Sequence, residues 1–210
     1  MGVKDYSQNG EQAHILHILG TVGIAKGHLI DMGAGDGYQM SNVRALLDMG
    51  WTGNLYDGEP RGSTEVEQAW ITKEAPILPP CDMLNIDLDG NDWHVLYETL
   101  KRYRDQELPT PSLIVAEINP IFERHEAKVM PYNSKHVWKG DTYYGASLAA
   151  FEWLADKFGY VACRVHAGIN VFLLRKDHAV DHPELVVPLE YRVKHDHKRH
   201  DPSLPWTTLN

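Results

Sequence analysis

The feature that most constrains this chain is a short apolar run that ends in a glycine-rich turn. Residues 28–32 read HLIDM, and glycines then recur at every second position, at Gly33, Gly35 and Gly37. The segment SNVRALLDMG follows, with apolar residues at helical spacing. A buried strand, a tight turn and a helix in this order form the opening unit of an α/β sheet, so the sequence predicts an α/β fold.

The same alternation continues along the chain. Three further apolar runs predict strands, at residues 53–57, 83–88 and 113–118. Two amphipathic segments predict helices, at residues 93–103 and 146–158. Strands that alternate with helices in this way favour a mostly parallel sheet.

The two ends of this pattern differ from its middle. An opening helix is predicted around residues 15–19, and residues 66–77 fit either a helix or a short strand. Near the other end, residues 160–165 and 169–175 read as two strands joined by a tight turn. We therefore expect an antiparallel terminal hairpin.

Length and composition favour one domain. A chain of 210 residues with 43% hydrophobic content fills one core, and we assign residues 1–177 to it. Residues 178–210 are polar and rich in His and Pro, and we interpret them as a tail or an edge wrap. The tail histidines, which we expect to be solvated rather than metal-bound, are His195, His197 and His200.

Charge and cysteine usage exclude several classes. The net charge of −9, with no Lys/Arg block in the first 190 residues, disfavours nucleic acid as a partner. No signal-type segment or long apolar run occurs, so we expect a cytoplasmic protein that does not engage membranes. Cys81 and Cys163 lack CxxC spacing and are expected to be free thiols. The sequence does not decide whether the protein forms a homo-oligomer.

The glycine turn has the form D-x-G-x-G-x-G. Asp31 precedes Gly33, Ala34, Gly35 and Gly37. Alternating glycines let the backbone pass close beneath a bulky ligand, such as the adenosine and methionine portions of S-adenosylmethionine. The dinucleotide fingerprint needs its third glycine one residue later, so NAD is disfavoured. The alternative is an ordinary glycine-rich turn.

An acidic residue follows at the end of the second predicted strand. Asp57 lies twenty residues after Gly37, where its carboxylate would accept hydrogen bonds from both ribose hydroxyls. Glu59 is a close rival for this role. Either residue could instead be a solvated turn carboxylate.

Polar side chains also end the next two strands. Asp87 and Asp89 follow one strand, and Glu117 and Asn119 follow the other. Ligands bind at the carboxyl ends of such strands, and adjacent carboxylates favour a hard cation, so we predict Mg²⁺ on a subset of the four. Asp87 is also assigned to the cofactor. The alternative is a turn and helix cap at residues 89–92, with Glu117 and Asn119 bonded to cofactor or backbone.

His94 is the first choice for a general base. It lies in the first turn of the helix after the acidic cluster, and Asp89 is the second predicted catalytic residue. A structural or surface role for His94 is equally compatible with the sequence. The long segment 119–143 could close over a substrate, and its polar and aromatic residues include His125, Tyr132, His136, Trp138 and Tyr143.

Several motifs together resemble a known family. They are YSQNGEQ, IDMGAGDG, LYDGEP, DMLNIDLDGNDWHV, VAEINP, YYGASLAAFEWLADKFGY and NVFLLR, and they span residues 6–175. In order and spacing they are similar to the FkbM-like S-adenosylmethionine-dependent methyltransferases. The resemblance implies a seven-stranded, Rossmann-like class I fold, with the cofactor at Gly33–Gly37 and Asp57.

The resemblance also implies an activity. Relatives act mainly as O-methyltransferases on hydroxyls of sugars and natural products, and similar sugar O-methyltransferases use Mg²⁺ and a nearby histidine. We therefore predict methyl transfer to a hydroxyl of a saccharide or small polar metabolite. The alternatives are a metal-independent N- or O-methyltransferase and a cofactor-binding protein without catalysis.

Overall fold

The computed structural model describes residues 3–193 and 203–209. The three tail histidines singled out above lie outside these residues. The described chain contains a seven-stranded sheet and five α-helices.

The seven-stranded sheet confirms the predicted fold class. Its strands, in chain order, are β1 (His28–Met32), β2 (Thr52–Asp57), β3 (Glu67–Gln68), β4 (Met83–Ile86), β5 (Leu113–Glu117), β7 (Tyr160–His166) and β8 (Asn170–Arg175), and β6 (Lys128–Val129) lies outside it. The spatial order is β3-β2-β1-β4-β5-β8-β7. The first five are parallel, and β8 runs antiparallel between β5 and β7.

Helices cover both faces of the sheet. On one face lie α1 (Glu11–Thr21) and α2 (Arg44–Asp48), whose apolar residues pack with β1, β2 and β8. On the other lie α3 (Asp92–Asp105) and α4 (Leu148–Phe158). Central strands covered on both faces bury nearly every residue, which explains why β5 reads as an apolar run and why β4 is apolar apart from Asn85.

Local signals set the ends of α4 and the terminal hairpin. The Ser147 side chain accepts a hydrogen bond from the Ala150 amide, and Gly159 ends the helix at φ +80°. Ala167 and Gly168 both have positive φ at the turn between β7 and β8, as predicted. The register between β5 and β8 pairs Glu117 with Asn170, which brings Asn170 to the carboxyl end of β5.

The structure refines three elements. Helix α2 covers only residues 44–48, and the ambiguous segment 66–77 contributes only the two-residue β3. The long segment 119–143 contains β6, which pairs with β9 (Thr207–Thr208) near the C-terminus. Helix α5 (Lys176–Asp181) and a 3₁₀ turn at Pro183–Leu185 follow β8. The division at residue 177 stays a prediction.

Candidate active site

A cleft opens at the carboxyl ends of β1, β2, β4 and β5. It has a first compartment of about 390 Å³ and a second of about 280 Å³. Gly33, Asp57, Asp87 and Asp89 line both compartments. The strands are parallel, so their carboxyl ends lie at one edge and bring together residues far apart in sequence.

The glycine loop approaches β4 closely. Gly33 has φ +92°, and a Cβ built on it would lie 1.6 Å from the backbone oxygen of Asp87. The amides of Gly33 and Ala34 donate to the carbonyl of Tyr56, at 2.9 and 3.0 Å. Only glycine fits this position, since any side chain would collide with backbone rather than with a movable group.

The other two glycines have different roles. Gly35, at φ +59°, has no atom within 4 Å of its Cβ position and lines the first compartment. A Cβ on Gly37 would instead lie 3.2 Å from side-chain atoms of Leu55 and Val66. Gly35 therefore leaves room for a ligand, whereas Gly37 allows the loop to pack on the core.

Asp57 faces the glycine loop across the cleft. One carboxylate oxygen accepts a hydrogen bond from the Gly35 amide at 2.8 Å, and the other accepts from the Glu59 amide at 2.7 Å. Glu59 lines only the second compartment, whereas Asp57 lines both. Of the two carboxylates considered for ribose, Asp57 is the one oriented by the loop.

Asp31 lies beneath the loop in a polar pair. It is buried, and its carboxylate accepts a hydrogen bond of 2.7 Å from the Asn85 amide, whose oxygen in turn accepts from Asn42 at 3.1 Å. Burial raises the pKa of Asp31 to about 6, against the lowering effect of the Asn85 hydrogen bond. Asp31 also lines the first compartment, so this charge faces any ligand above the loop.

Three predicted metal ligands do come together. Oxygen atoms of Asp87, Asp89 and Glu117 all lie within 4.8 Å of one another, and we call these residues the carboxylate group. Asp87 and Asp89 are open to solvent on the cleft side, while protein surrounds all three on their other sides. Asp89 has φ +53°, a conformation that non-glycine residues adopt rarely.

Electrostatics in the carboxylate group disfavour full ionisation. Burial and then the nearby carboxylates raise the pKa of Asp87 and of Glu117 well above the usual range. Burial also raises the pKa of Asp89. One oxygen of Glu117, Oε2, is buried and has no hydrogen-bond partner. An acceptor atom of this kind calls for a proton or a cation.

The turn-and-cap alternative applies to the neighbouring residues. The Asp92 carboxylate accepts from the amides of Leu88 and Gly90, at 2.7 and 2.9 Å, and so closes the turn before α3. The Asn91 amide donates to the carbonyl of Asn133 at 2.8 Å, which attaches the long loop to this turn. The structural role therefore belongs to Asn91 and Asp92, and not to Asp89.

Asn119 is held by the loop rather than by the cleft. Its amide donates to the carbonyls of Thr142 and Tyr144, at 2.9 and 2.8 Å, and its oxygen accepts from the Ile121 amide at 3.2 Å. It is fully buried, and it is not part of the described lining of either compartment. The structure thus gives Asn119 a structural position in place of the predicted ligand position.

His94 also lies away from the cleft lining. Its Nε2 is 2.7 Å from the carbonyl oxygen of Met130, and a carbonyl only accepts, so Nε2 carries the proton. Burial lowers the pKa of His94, so the ring is neutral. Because it is absent from the described lining of both compartments, the geometry does not support His94 as the general base.

The long loop forms one wall of the cleft. Trp138 lines both compartments, and His136 lines the second, where its buried Nε2 has no hydrogen-bond partner. Tyr132 instead packs edge-on against His94, and His125 is exposed on the outer surface. Tyr143 packs on Trp206. Of the loop residues named from the sequence, His136 and Trp138 reach the cleft.

Several cleft residues were not identified from the sequence. They are Gln8, Glu11, Asn42, Arg61, Trp70, Tyr144 and Asn170. Glu11 is fully buried and accepts hydrogen bonds from Asn9 and Asn170, which links the N-terminal segment to β8. The sequence offers one signal for Glu11, an acidic residue beside amide residues in YSQNGEQ. Its partner Asn170 lies 159 positions further along the chain, so the pairing is not visible in the sequence.

Known proteins resemble this chain in structure rather than in sequence. No family model and no curated protein matches this chain in sequence. The 1,6-didemethyltoxoflavin-N1-methyltransferase of Burkholderia thailandensis, with bound 1,6-didemethyltoxoflavin and S-adenosylhomocysteine, aligns at TM-score 0.50 and 14% identity, over 80% of this chain and 77% of that one. The fold is that of the class I methyltransferases. The FkbM-like relation stays a resemblance.

Two further solved structures are less similar. The methyltransferase CalO1 of calicheamicin biosynthesis gives TM-score 0.43 and 18% identity, over 78% of this chain and 54% of that one. The O-methyltransferase NcsB1 of neocarzinostatin biosynthesis gives 0.40 and 19%, over 78% and 56%. This chain therefore spans just over half the length of each.

Within residues 3–193 and 203–209, no helix combines the length and the apolarity that crossing a bilayer requires.

Proposed function

We propose that this chain is an S-adenosylmethionine-dependent methyltransferase that acts on a hydroxyl of a saccharide or another small polar metabolite. The observation that carries the proposal is the shared cleft, in which the glycine loop and Asp57 face the carboxylate group. A class I fold supplies the framework, but the chemistry depends on these side chains.

The glycine-loop end suits the cofactor. Gly33 lets the loop lie against β4, Gly35 leaves space above the loop, and Asp57 offers two carboxylate oxygens to the ribose hydroxyls. Asp31 and Asp87 add negative charge beside a ligand that carries a sulfonium cation and an ammonium group. When bound, S-adenosylmethionine supplies an electrophilic methyl group.

The first compartment, which contains the glycine loop, has room and polar groups for a hydroxylated acceptor as well as for the cofactor. Amide and carboxyl side chains dominate the described polar lining of the first compartment, namely Gln8, Glu11, Gln39, Asn42, Asn85 and Asn170. Such groups donate to and accept from sugar hydroxyls. In this proposal Asp89, held at φ +53° between the compartments, orients the acceptor hydroxyl.

The carboxylate group also fits Mg²⁺. The donor set is all carboxylate oxygen, as hard cations prefer, and the partnerless Oε2 of Glu117 lies within it. Asp87, Asp89 and Glu117 would hold the ion, and Asn119 is left out because its side chain bonds to the loop. A bound Mg²⁺ would lower the pKa of a hydroxyl beside it.

Metal-independent transfer is the second candidate, and the raised pKa values of Asp87 and Glu117 favour it. A raised pKa favours the protonated form of these carboxyl groups, which reduces the need for a cation, and proximity alone can then promote transfer. A panel of sugars and small polyols should be assayed with methyl-labelled S-adenosylmethionine, with Mg²⁺ and with EDTA.

The assay separates the candidates. We expect labelled product from a hydroxylated acceptor and its loss in EDTA. Product that persists in EDTA would favour the metal-independent enzyme. Cofactor binding without product from any acceptor would favour a non-catalytic protein.

A further inference from the structure

A second concave surface lies on the far side of the hairpin from the cleft. It is a groove of about 1050 Å³ between α1, the edge strand β7 and residues 187–192. The Val187 amide donates to the carbonyl of Cys163 at 3.1 Å, which holds the last segment along β7. We call the surface the basic groove because His14, Arg164, His166 and Arg192 line it.

Arg164 is the most unusual residue of the basic groove. It is half-buried, and its Nε atom is buried without a hydrogen-bond partner. Among the residues that the structure describes, no carboxylate or carbonyl bonds to its guanidinium. Buried donors are nearly always paired in folded proteins, so a donor left in this state indicates a missing acceptor.

Two histidines beside Arg164 are joined by a chain of hydrogen bonds. His166 Nε2 lies 2.8 Å from the carbonyl of Asn9, so this nitrogen must donate. In a neutral ring His166 Nδ1 then accepts, and His14 Nε2, at 3.0 Å, donates to it. Fixed in this way, a neutral His14 keeps Nδ1 unprotonated, and an anion bound beside it would favour protonation of this atom.

The local charge is positive, although the chain as a whole carries −9. Burial lowers the pKa of His14, the charges of Arg164, His166 and His17 lower it further, and the Glu11 carboxylate opposes them. Glu190 is the one carboxylate in the described lining. Positive groups held together without a matching number of acids attract an anion.

We propose that the basic groove binds a phosphate group, with Arg164 as the principal contact. The guanidinium presents paired N–H donors that match the oxygens of a phosphate, and the histidines and Arg192 add donors around it. The groove is separate from the methyl-transfer cleft. Ile169 and Asn170 line the cleft, whereas residues 166–168 of the same turn line the groove.

Binding of inorganic phosphate, glucose 6-phosphate and glucose to the full chain tests this site by isothermal titration. We expect both phosphates to bind with an affinity that depends on Arg164, and any binding of glucose in the cleft to be independent of Arg164. Tighter binding of glucose 6-phosphate would identify an organic phosphate as the ligand, and equal binding would identify free phosphate. Absence of binding by both phosphates would overturn the proposal.

Variants locate the site. Arg164→Met should weaken phosphate binding about tenfold or more, and Arg164→Lys should weaken it less, because the charge remains but the paired donors are lost. Arg104→Gln, an exposed arginine on α3, is the matched control and should bind as the parent does. Histidine ring signals in NMR spectra should shift with phosphate in the parent and not in Arg164→Met. Unchanged affinity in Arg164→Met would exclude this groove.

Discussion

The two ends of the cleft are built from different parts of the chain. The glycine-loop end comes from a continuous stretch, β1 to β2, and its polar atoms are paired: the loop amides bond to Tyr56 and Asp57. The carboxylate end joins strand ends and the long loop, and it holds partnerless buried atoms on Glu117 and His136. The first end is preformed by backbone geometry, whereas the second leaves buried polar atoms without a partner in the described protein.

The largest expected effect tests whether backbone geometry defines the first end. Gly33→Ala places a Cβ 1.6 Å from a backbone oxygen, so we expect the free energy of unfolding to fall by about 4 kcal/mol or more. Gly35→Ala meets open space and should cost about 1 kcal/mol, from its positive φ alone. Chemical denaturation measures both, and equal losses would contradict the distinction.

The next effect is electrostatic and concerns Asp31. Burial raises the pKa of Asp31 to about 6, so this carboxylate binds a proton more tightly in the folded state than in the unfolded state. The resulting stabilisation is complete below pH of about 4 and is lost as pH rises through about 6, a change of about 3 kcal/mol. Asp31→Asn keeps the acceptor for Asn85 and should remove this dependence from the free energy of unfolding.

Asp36, in the same loop, is the matched control for that pH series. Amides of Gln39 and Tyr38 lower its pKa, so its stabilisation is present at higher pH and is lost as pH falls. Asp36→Asn should therefore change the low-pH side of the profile. A parent and an Asp31→Asn protein with parallel profiles would refute the assignment.

At the carboxylate end, Glu117→Gln should reduce methyl transfer about 100-fold, because one oxygen ligand is lost. In metal-free protein the same change should raise stability at alkaline pH. The raised pKa of Glu117 means that its contribution to stability is lost as pH rises. Glu98→Gln, on α3, is the control and should leave both quantities unchanged. A Glu117→Gln protein with full activity would contradict the proposed role of Glu117 as a metal ligand.

The glycine-loop end of the cleft could be predicted from the sequence more fully than the carboxylate end. Strands such as β5 begin as apolar runs, so the fold was predictable. Gly33 and Asp57 come from one local unit, so their proximity in the cleft was predictable too. The positions of the Asn119 and His94 side chains could not be predicted, because their partners, Thr142 and Met130, lie in a loop without periodicity. Sequence proximity to an acidic cluster does not show which way a side chain points.

The smallest expected effect concerns the loop wall. Trp206 packs against Phe122 and Tyr143, with ring centroids 4.6 and 5.1 Å away, and thereby supports the loop from the C-terminal segment. Trp206→Ala should raise the KM for the acceptor about tenfold, by loosening this wall. The affinity for the cofactor should not change. Trp153→Ala, on α4, is a control that should alter stability without altering this KM.

Binding of S-adenosylmethionine is the property on which the proposed methyl transfer depends. Isothermal titration of the purified protein with S-adenosylmethionine and with NAD, with and without Mg²⁺, should show binding of the first and none of the second. Gly35→Val should abolish the binding, because its side chain fills the open space above the loop. Absence of S-adenosylmethionine binding in every condition would contradict the account and leave only the fold.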